Sequence, residues 1–246
     1  MMKYSVISLF PEIIQDYCSK SIIGRAQKNN IISLETINPR DFTSDNYHRV
    51  DDMPYGGGSG MVLMCDPIFQ AFEAIKKLEN YRLILTTPQG TPYNQQIASD
   101  LSNCDQLIII SGHYEGIDER IRLGLKPFEL SAGDYILTGG ELVTLCIIDS
   151  TTRLLPGALG KDDSLKEESF NNYLLEYPHY TRPSEYRGMK VPDILLSGHH
   201  KNIANWRKQQ SLINTFKKRP DLLNKADLTK EDQHIIEKIK NSKEKE

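Results

Sequence analysis

Cysteine is scarce in this chain. Four occur in 246 residues, Cys18, Cys65, Cys104 and Cys146, with no Cys-x-x-Cys pair and no histidine at metal-ligand spacing. A disulfide scaffold and a zinc ribbon are both excluded, and the four read as reduced core thiols of a cytoplasmic protein. Long apolar runs are missing too. None approaches the roughly 18 residues of a membrane span, and the N-terminal MMKYSVISLFPEII is broken by Pro11 and Glu12 too early for a signal peptide. Several nucleotide and hydrolase signatures are absent: no G-x-G-x-x-G after the first strand, no P-loop, no G-x-S-x-G elbow, no H-E-x-x-H. No internal repeat is visible. What remains is 39% hydrophobic and 26% charged, with 16 glycines and 12 prolines. That is the composition of an ordinary globular protein, long enough for one or two domains with cores of their own.

Charge is unevenly spread. The whole chain carries 30 Lys and Arg against 33 Asp and Glu, a net of −3. From His199 onward the balance is 12 basic against 7 acidic residues. The stretch His199 to Pro220 holds Lys201, Arg207, Lys208, Lys217, Lys218 and Arg219 and no acid. An acidic body with a basic tail fits a catalytic domain carrying a polyanion-binding appendage. A solvated helix face explains the same run equally well.

Strands are expected at Tyr4–Leu9, Ile31–Ile37, Arg82–Thr86 and Gln106–Ser111. The last two are continuously apolar, as in a parallel sheet covered on both faces. Helical patterns start near Pro11, at Asp66–Pro67 with Asp66 as N-cap, and at about Tyr93. The alternation predicts an α/β fold. ELVTLCIIDSTTRLL, after Gly140, reads as a buried helix. Polar, glycine-containing residues at 157–176 read as a flexible linker between an α/β domain at 1–156 and a helical domain at 177–246. In that last domain Ile203, Trp206, Leu212, Ile213 and Phe216 recur near helical spacing, so Trp206 is expected in its core. Pro220 should stop this helix, and a final amphipathic helix starts near Lys230.

Three strand ends carry glycine: Thr87-Pro88-Gln89-Gly90, Ser111-Gly112-His113-Tyr114-Glu115-Gly116, and Ala132 to Glu141. In open α/β sheets ligands bind beyond the C-terminal ends of the strands, and glycine lets backbone approach a ligand closely. Each alone is also an ordinary turn. Together they could form one backbone-lined pocket suited to an adenine and ribose. A fourth cluster, Pro54-Tyr55-Gly56-Gly57-Gly58-Ser59-Gly60-Met61, lies in a long polar loop after His48 and Arg49.

ISLFPE, PRDFT, VDDMPYGGGSGM, GHYEGIDER, GDYILTGGEL, PHYTRP and VPDILLSGHH occur in that order between Ile7 and His200. Over nearly the whole chain these motifs resemble the bacterial tRNA (guanine-N1-)-methyltransferases, of the knotted SPOUT class. Local rules predict an unknotted doubly wound sheet. The resemblance implies instead an α/β parallel-sheet domain with a deep trefoil knot and a small all-α C-terminal domain. It implies a cytoplasmic homodimer with active sites between subunits and tRNA as partner, not DNA or a membrane. The donor it implies is S-adenosyl-L-methionine, with Mg²⁺ a possible aid to catalysis and no metal-ligating residue assigned.

The implied reaction methylates N1 of guanosine at tRNA position 37. Guanine N1 carries a proton, so a carboxylate base is wanted, and a cation near O6 stabilises the charge that develops there. The resemblance assigns these roles to Glu168, of Glu168-Ser169-Phe170, and to Arg153. The family has aspartate where this chain has Glu168, and Asp162, Asp163 and Glu167 are nearby rivals. Glu176 matches a second linker carboxylate that orients the base or binds tRNA. Implied cofactor contacts are Thr86, Pro88, Gly90, Gly112, Tyr114, Glu115, Ala132, Gly133, Asp134, Tyr135, Ile136, Leu137, Gly139 and Gly140. Core packing is the plainer reading of Ile136 and Leu137. RNA contacts are expected from His48, Arg49, Arg182 and the basic tail. A knotted-class methyltransferase for another RNA nucleotide, or a non-enzymatic RNA-binding module, are the alternatives.

Overall fold

A computed structural model describes residues 1–159 and 168–243. The chain divides into two compact units, Met1–Lys161 and Asp162–Glu246. Asp162, Asp163 and Glu167, expected as rivals of Glu168, lie outside the described residues.

The first unit is built on a five-stranded, all-parallel sheet. Its strands are β1 (Met2–Ile7), β2 (Ile32–Ile37), β5 (Tyr81–Pro92), β6 (Gln106–Ser111) and β7 (Phe128–Ser131), in the order β2-β1-β6-β5-β7. β3 (Asp51–Asp52) and β4 (Val62–Leu63) form a separate two-residue ladder. Every residue of β6 is buried, as its unbroken apolar run requires of a central strand. Helices α1 (Pro11–Cys18), α2 (Ser21–Lys28), α4 (Gln95–Leu101) and α6 (Glu141–Thr152) supply one apolar layer. Helices α3 (Cys65–Ala74) and α5 (Glu119–Leu125) supply the other. Tyr4, in the middle of β1, places its hydroxyl 2.8 Å from Thr151 Oγ1 and 2.9 Å from Thr152 Oγ1 at the end of α6. Burial pushes its phenol up to about 12.

Several expectations need correction. Asp66 is not the cap of α3: the helix begins at Cys65 with Met64 before it, and Asp66 accepts from Gln70 Nε2 instead. Cys18 is buried, but Cys65 and Cys104 are only partly so and Cys146 is exposed. α6 is largely buried as expected, but it leaves Leu142 and Cys146 exposed. Thr87–Gly90 is not a loop after a finished strand. β5 continues to Pro92, and both Thr86 and Thr91 align with Leu130 of β7. The residues between them are therefore looped out as a bulge.

The second unit is not all-α. A small antiparallel hairpin, β8 (Glu185–Tyr186) with β9 (Met189–Lys190), precedes α7 (Asp193–Leu196), α8 (His200–Lys218), α9 (Pro220–Leu223) and α10 (Lys230–Lys243). Its turn residues Arg187 and Gly188 both have positive φ, 52° and 78°, as a tight hairpin turn demands. α8 ends at Lys218, just before Pro220. Trp206 is half-buried, 6.4 Å from the Tyr180 ring, while Leu212, Thr215 and Leu222 are the buried side chains of α8 and α9. α10 opens on a reciprocal cap. Thr229 N–H donates to Asp232 Oδ2 at 3.0 Å, and Asp232 N–H donates to Thr229 Oγ1 at 3.2 Å.

Asp232 is 2% exposed and pairs with Lys208 Nζ of α8 at 2.9 Å. Burial alone would raise its carboxyl, but hydrogen bonds from Lys208 and Thr229 outweigh it and hold the group below the usual range. A depressed folded-state value stabilises above the unfolded value of about 3.9 and is lost as pH falls through the folded one. Asp232→Asn should therefore speed hydrogen exchange across α10 at neutral pH. The gap to the parent should narrow as pH drops below about 4. An equal gap at both pH values would show that the pair does not act through charge.

Candidate active site

A cleft of about 560 Å³ opens at the C-terminal ends of β6 and β7 and at the bulge of β5. That is within the roughly 300–1,000 Å³ of small-molecule sites. Its walls are the three glycine-bearing strand ends. The β5 bulge brings Thr86 and Pro88, the segment after β6 brings Gly112, Tyr114 and Glu115, and the segment after β7 brings Ala132, Tyr135, Ile136, Leu137, Gly139 and Gly140. These expected residues do come together. Gly90, Gly133 and Asp134 do not line the cleft.

Gly90 has a different task. A Cβ there would sit 2.5 Å from Leu130 N and 2.6 Å from its carbonyl carbon, so glycine lets the bulge lie flat on β7. Gly133 adopts φ +149°, beyond the reach of most side chains, with the Tyr135 ring above its Cα. Gly140 is enclosed most tightly. Its N–H donates to Gly112 O at 2.7 Å, and an added Cβ would overlap Thr86 Oγ1 and lie 2.7 Å from Gly112 N. An isolated antiparallel bridge between His113 and Gly139 continues the contact. The segment after β7 is thus laid directly on the end of β6. Ile136 and Leu137 are not core residues: they are 79% and 37% exposed, on the cleft wall beside the half-exposed Tyr135.

The strand-end residues are braced from outside the sheet. Glu115 N–H donates to Met61 O at 3.1 Å, Leu63 N–H to Gly116 O at 3.0 Å, and Asp118 N–H to Leu63 O at 2.9 Å. The glycine-rich loop at 54–61 is therefore anchored beside the cleft, although Tyr55 itself is wholly exposed. Burial and the nearby Asp51 carboxylate raise the Tyr114 phenol.

Of the cleft residues outside the expected cofactor contacts, two carry ionisable side chains. Arg122 of α5 lines the cleft, donating to Glu129 Oε2 at 2.9 Å, Glu119 Oε2 at 3.0 Å and Thr87 Oγ1 at 3.3 Å. Burial would lower its guanidinium, but the bonds to Glu129 and Glu119 raise it. It ties the bulge to α5. Its signal was position alone, two residues past GHYEGIDER. His113, inside that motif, is the second.

Arg153 caps the C-terminus of α6, with its N–H on Asp149 O at 3.1 Å. Glu168 is described in the second unit, half-buried. Its triplet is folded back on the Glu176 segment: Glu176 N–H donates to Ser169 Oγ at 3.0 Å, and Phe170 N–H to Leu174 O at 2.7 Å. Glu176 itself pairs with His179 Nε2 at 2.9 Å. Among the described residues no cluster of His, Cys, Asp and Glu suits a metal ion, and no helix is long and apolar enough to cross a membrane.

Several of the expected RNA-contacting residues have partners of their own. His48 Nδ1 lies 3.0 Å from Arg40 O. Arg49 holds Asp45 at 2.7 Å. Arg207 lies over the Tyr177 ring at 4.8 Å, and Arg219 pairs with Asp221 at 2.7 Å. The acid-free run is thus partly neutralised by acids from α9 and α10.

Comparison with known proteins identifies the family. A model of the family described as "tRNA (Guanine-1)-methyltransferase TrmD" matches residues 2–225. The chain belongs to that family. Its members therefore place it among enzymes that methylate guanine N1 in tRNA. It is 48% identical over 243 residues to a tRNA (guanine-N(1)-)-methyltransferase of Desulforamulus reducens, covering 98% of this chain and 96% of the relative. A protein of the same name from Carboxydothermus hydrogenoformans is 52% identical over 96% of this chain and 92% of its own. One from Staphylococcus aureus is 49% identical over 97% and 98%.

Overpacking a filled contact costs about 1–3 kcal/mol. Gly140→Ala must push Thr86 and Gly112 apart, so it should weaken binding of S-adenosyl-L-methionine by about tenfold or more. Titration calorimetry on protein with native circular dichroism checks this. Unchanged affinity would mean that the Gly112–Gly140 contact does not shape the ligand site.

Proposed function

We propose that the cleft binds S-adenosyl-L-methionine and that the enzyme, as a cytoplasmic homodimer, moves its methyl group to N1 of guanosine 37 of tRNA. The observation that carries this reading is the convergence of three glycine-bearing strand ends on one cleft. Backbone groups brought close by Gly112, Gly139 and Gly140 suit the edges of an adenine and ribose. The exposed Tyr135, Ile136 and Leu137 offer an apolar wall that a bound adenine would cover. When bound, the donor supplies an electrophilic methyl carbon on a sulfonium.

Glu168 takes the proton from guanine N1, which frees the lone pair for attack. Arg153 stands near O6 and stabilises the negative charge that grows there. Glu176, held through Ser169 to the same turn, keeps the Glu168 backbone in place. Exposed Ile13, Tyr17, Leu142 and Cys146, on the packed pair α1 and α6, suit cover by a second copy, which would let Glu168 of one chain serve the cleft of the other. The return of the chain from edge strand β7 across the end of β6 to α6 supports a trefoil-knotted path. Mg²⁺ would assist by stabilising O6, without a ligand set assigned.

Glu168→Gln should lose about 10²-fold or more in methyl transfer to transcript tRNA while donor affinity stays within about twofold. Glu168→Asp should retain more activity than Gln. Near-normal turnover of the Gln variant would remove Glu168 as the base.

For tRNA, phosphate neutralisation makes affinity fall with salt. The exposed Lys217 and Lys218, not the Asp221-paired Arg219, are the residues to change. Reversing both to Glu should weaken tRNA binding and flatten its dependence on salt, with guanosine preference intact because phosphate contacts carry no sequence information. An unchanged slope would make this run a solvated surface.

A further inference from the structure

Glu141 is the first residue of α6 and only 5% exposed. A buried carboxylate is costly unless it is bonded. Part of the compensation is visible: Ser8 Oγ donates to Oε1 at 2.8 Å, and the helix N-terminus favours negative charge. The other oxygen, Oε2, faces His113 Nδ1 at 4.0 Å. That nitrogen is buried and has no hydrogen-bond partner. The His113 ring is held between Phe10, with centroids 5.1 Å apart, and the edge of Tyr114, at 4.8 Å. His113 also lines the cleft. A Cβ on Gly139 would overlap Glu141 Oε2 and come within 2.7 Å of His113 Nδ1, so glycine keeps the space between carboxylate and ring clear. None of this is needed by the roles given to Glu168 and Arg153.

We propose that Glu141 is a positioning residue. Its carboxylate takes the Nδ1 proton of His113 as a hydrogen bond and so fixes the ring in the Nδ1–H tautomer. Nε2 is then left bare, as an acceptor for an amine or hydroxyl of the ligand in the cleft. A neutral imidazole can offer only one acceptor, and its partner decides which nitrogen that is. A shift of about 1 Å, to the usual N–H···O distance of about 2.9 Å, closes the contact. The inference rests on the cleft being the methyl-donor site.

Nitrogen NMR of the ligand-free protein reads the tautomer directly. The expected result is a protonated Nδ1 and a bare Nε2 at His113, lost or mixed in Glu141→Gln. Donor affinity and KM should then worsen by about tenfold, the worth of one lost hydrogen bond, while kcat at saturating donor stays within about twofold. His113→Asn keeps a donor near the Nδ1 position but has nothing at Nε2, so it should lose affinity as well. If Glu141→Gln fails to fold, the parent spectrum still decides the tautomer, and His113→Asn decides the acceptor. An Nε2–H or doubly protonated ring in the parent overturns the proposal, as does a tautomer or donor affinity unchanged in Glu141→Gln. Should the parent bind no S-adenosyl-L-methionine at all, the donor-site reading fails separately, with the His113–Glu141 pairing still measured.

Discussion

The cleft depends on one backbone contact, the hydrogen bond from Gly140 N–H to Gly112 O at 2.7 Å. β7 is an edge strand, next to β5 and two places away from β6. For the chain to reach α6 it must come back over the sheet end. There it meets the end of β6, and the two backbones touch where neither residue has a Cβ. Thr86 of β5 completes the contact, its Oγ1 accepting from Gly112 N–H at 3.2 Å. The β5 bulge, the end of β6 and the start of α6 are therefore fixed to one another by hydrogen bonds. The cleft is the space left between them.

That arrangement explains why glycine recurs without a glycine motif. In a dinucleotide fold the glycines serve one phosphate-binding turn. Here they serve separate needs: Gly90 lies on β7, Gly140 lies on Gly112, and Gly139 clears the space beside Glu141. Backbone packing of this kind leaves a site whose polar edges are amides and carbonyls, with few ionisable side chains. The exceptions are His113, Glu115 and Arg122, with the phenols of Tyr114 and Tyr135. Arg122 is bonded to Glu129, Glu119 and Thr87. Its charge is satisfied by its own neighbours.

β6 and the Leu83–Thr86 part of β5 were legible because each is a short run with both faces covered, and β1 and edge strand β2 because their apolar residues cluster despite the polar ones between them. β7 was not, because four residues, Phe128–Ser131, are too few for a period to show. The bulge in β5 was hidden for a related reason: Thr87–Gly90 has turn chemistry, and nothing local says that the ladder resumes at Thr91. The hairpin at Glu185–Lys190 is shorter still. Its only signal is Arg187-Gly188 between Tyr186 and Met189. The roles proposed for Arg153 and Glu168 rest on the likeness of their surrounding motifs to a family. Their residue types alone would not separate them from other part-buried charges.

Local sequence rules assign an apolar side chain to the interior, yet Ile136 is 79% exposed and Leu142 56%. The two lie on either side of the Gly139–Gly140 contact, Ile136 on the cleft wall and Leu142 in the first turn of α6. A segment pinned at Gly140 cannot turn both side chains inward, because its backbone direction is already set by Gly112. The apolar surface is thus a consequence of the same contact that makes the cleft. It stays uncovered in a single chain and is available to a ligand on one side and to a partner surface on the other.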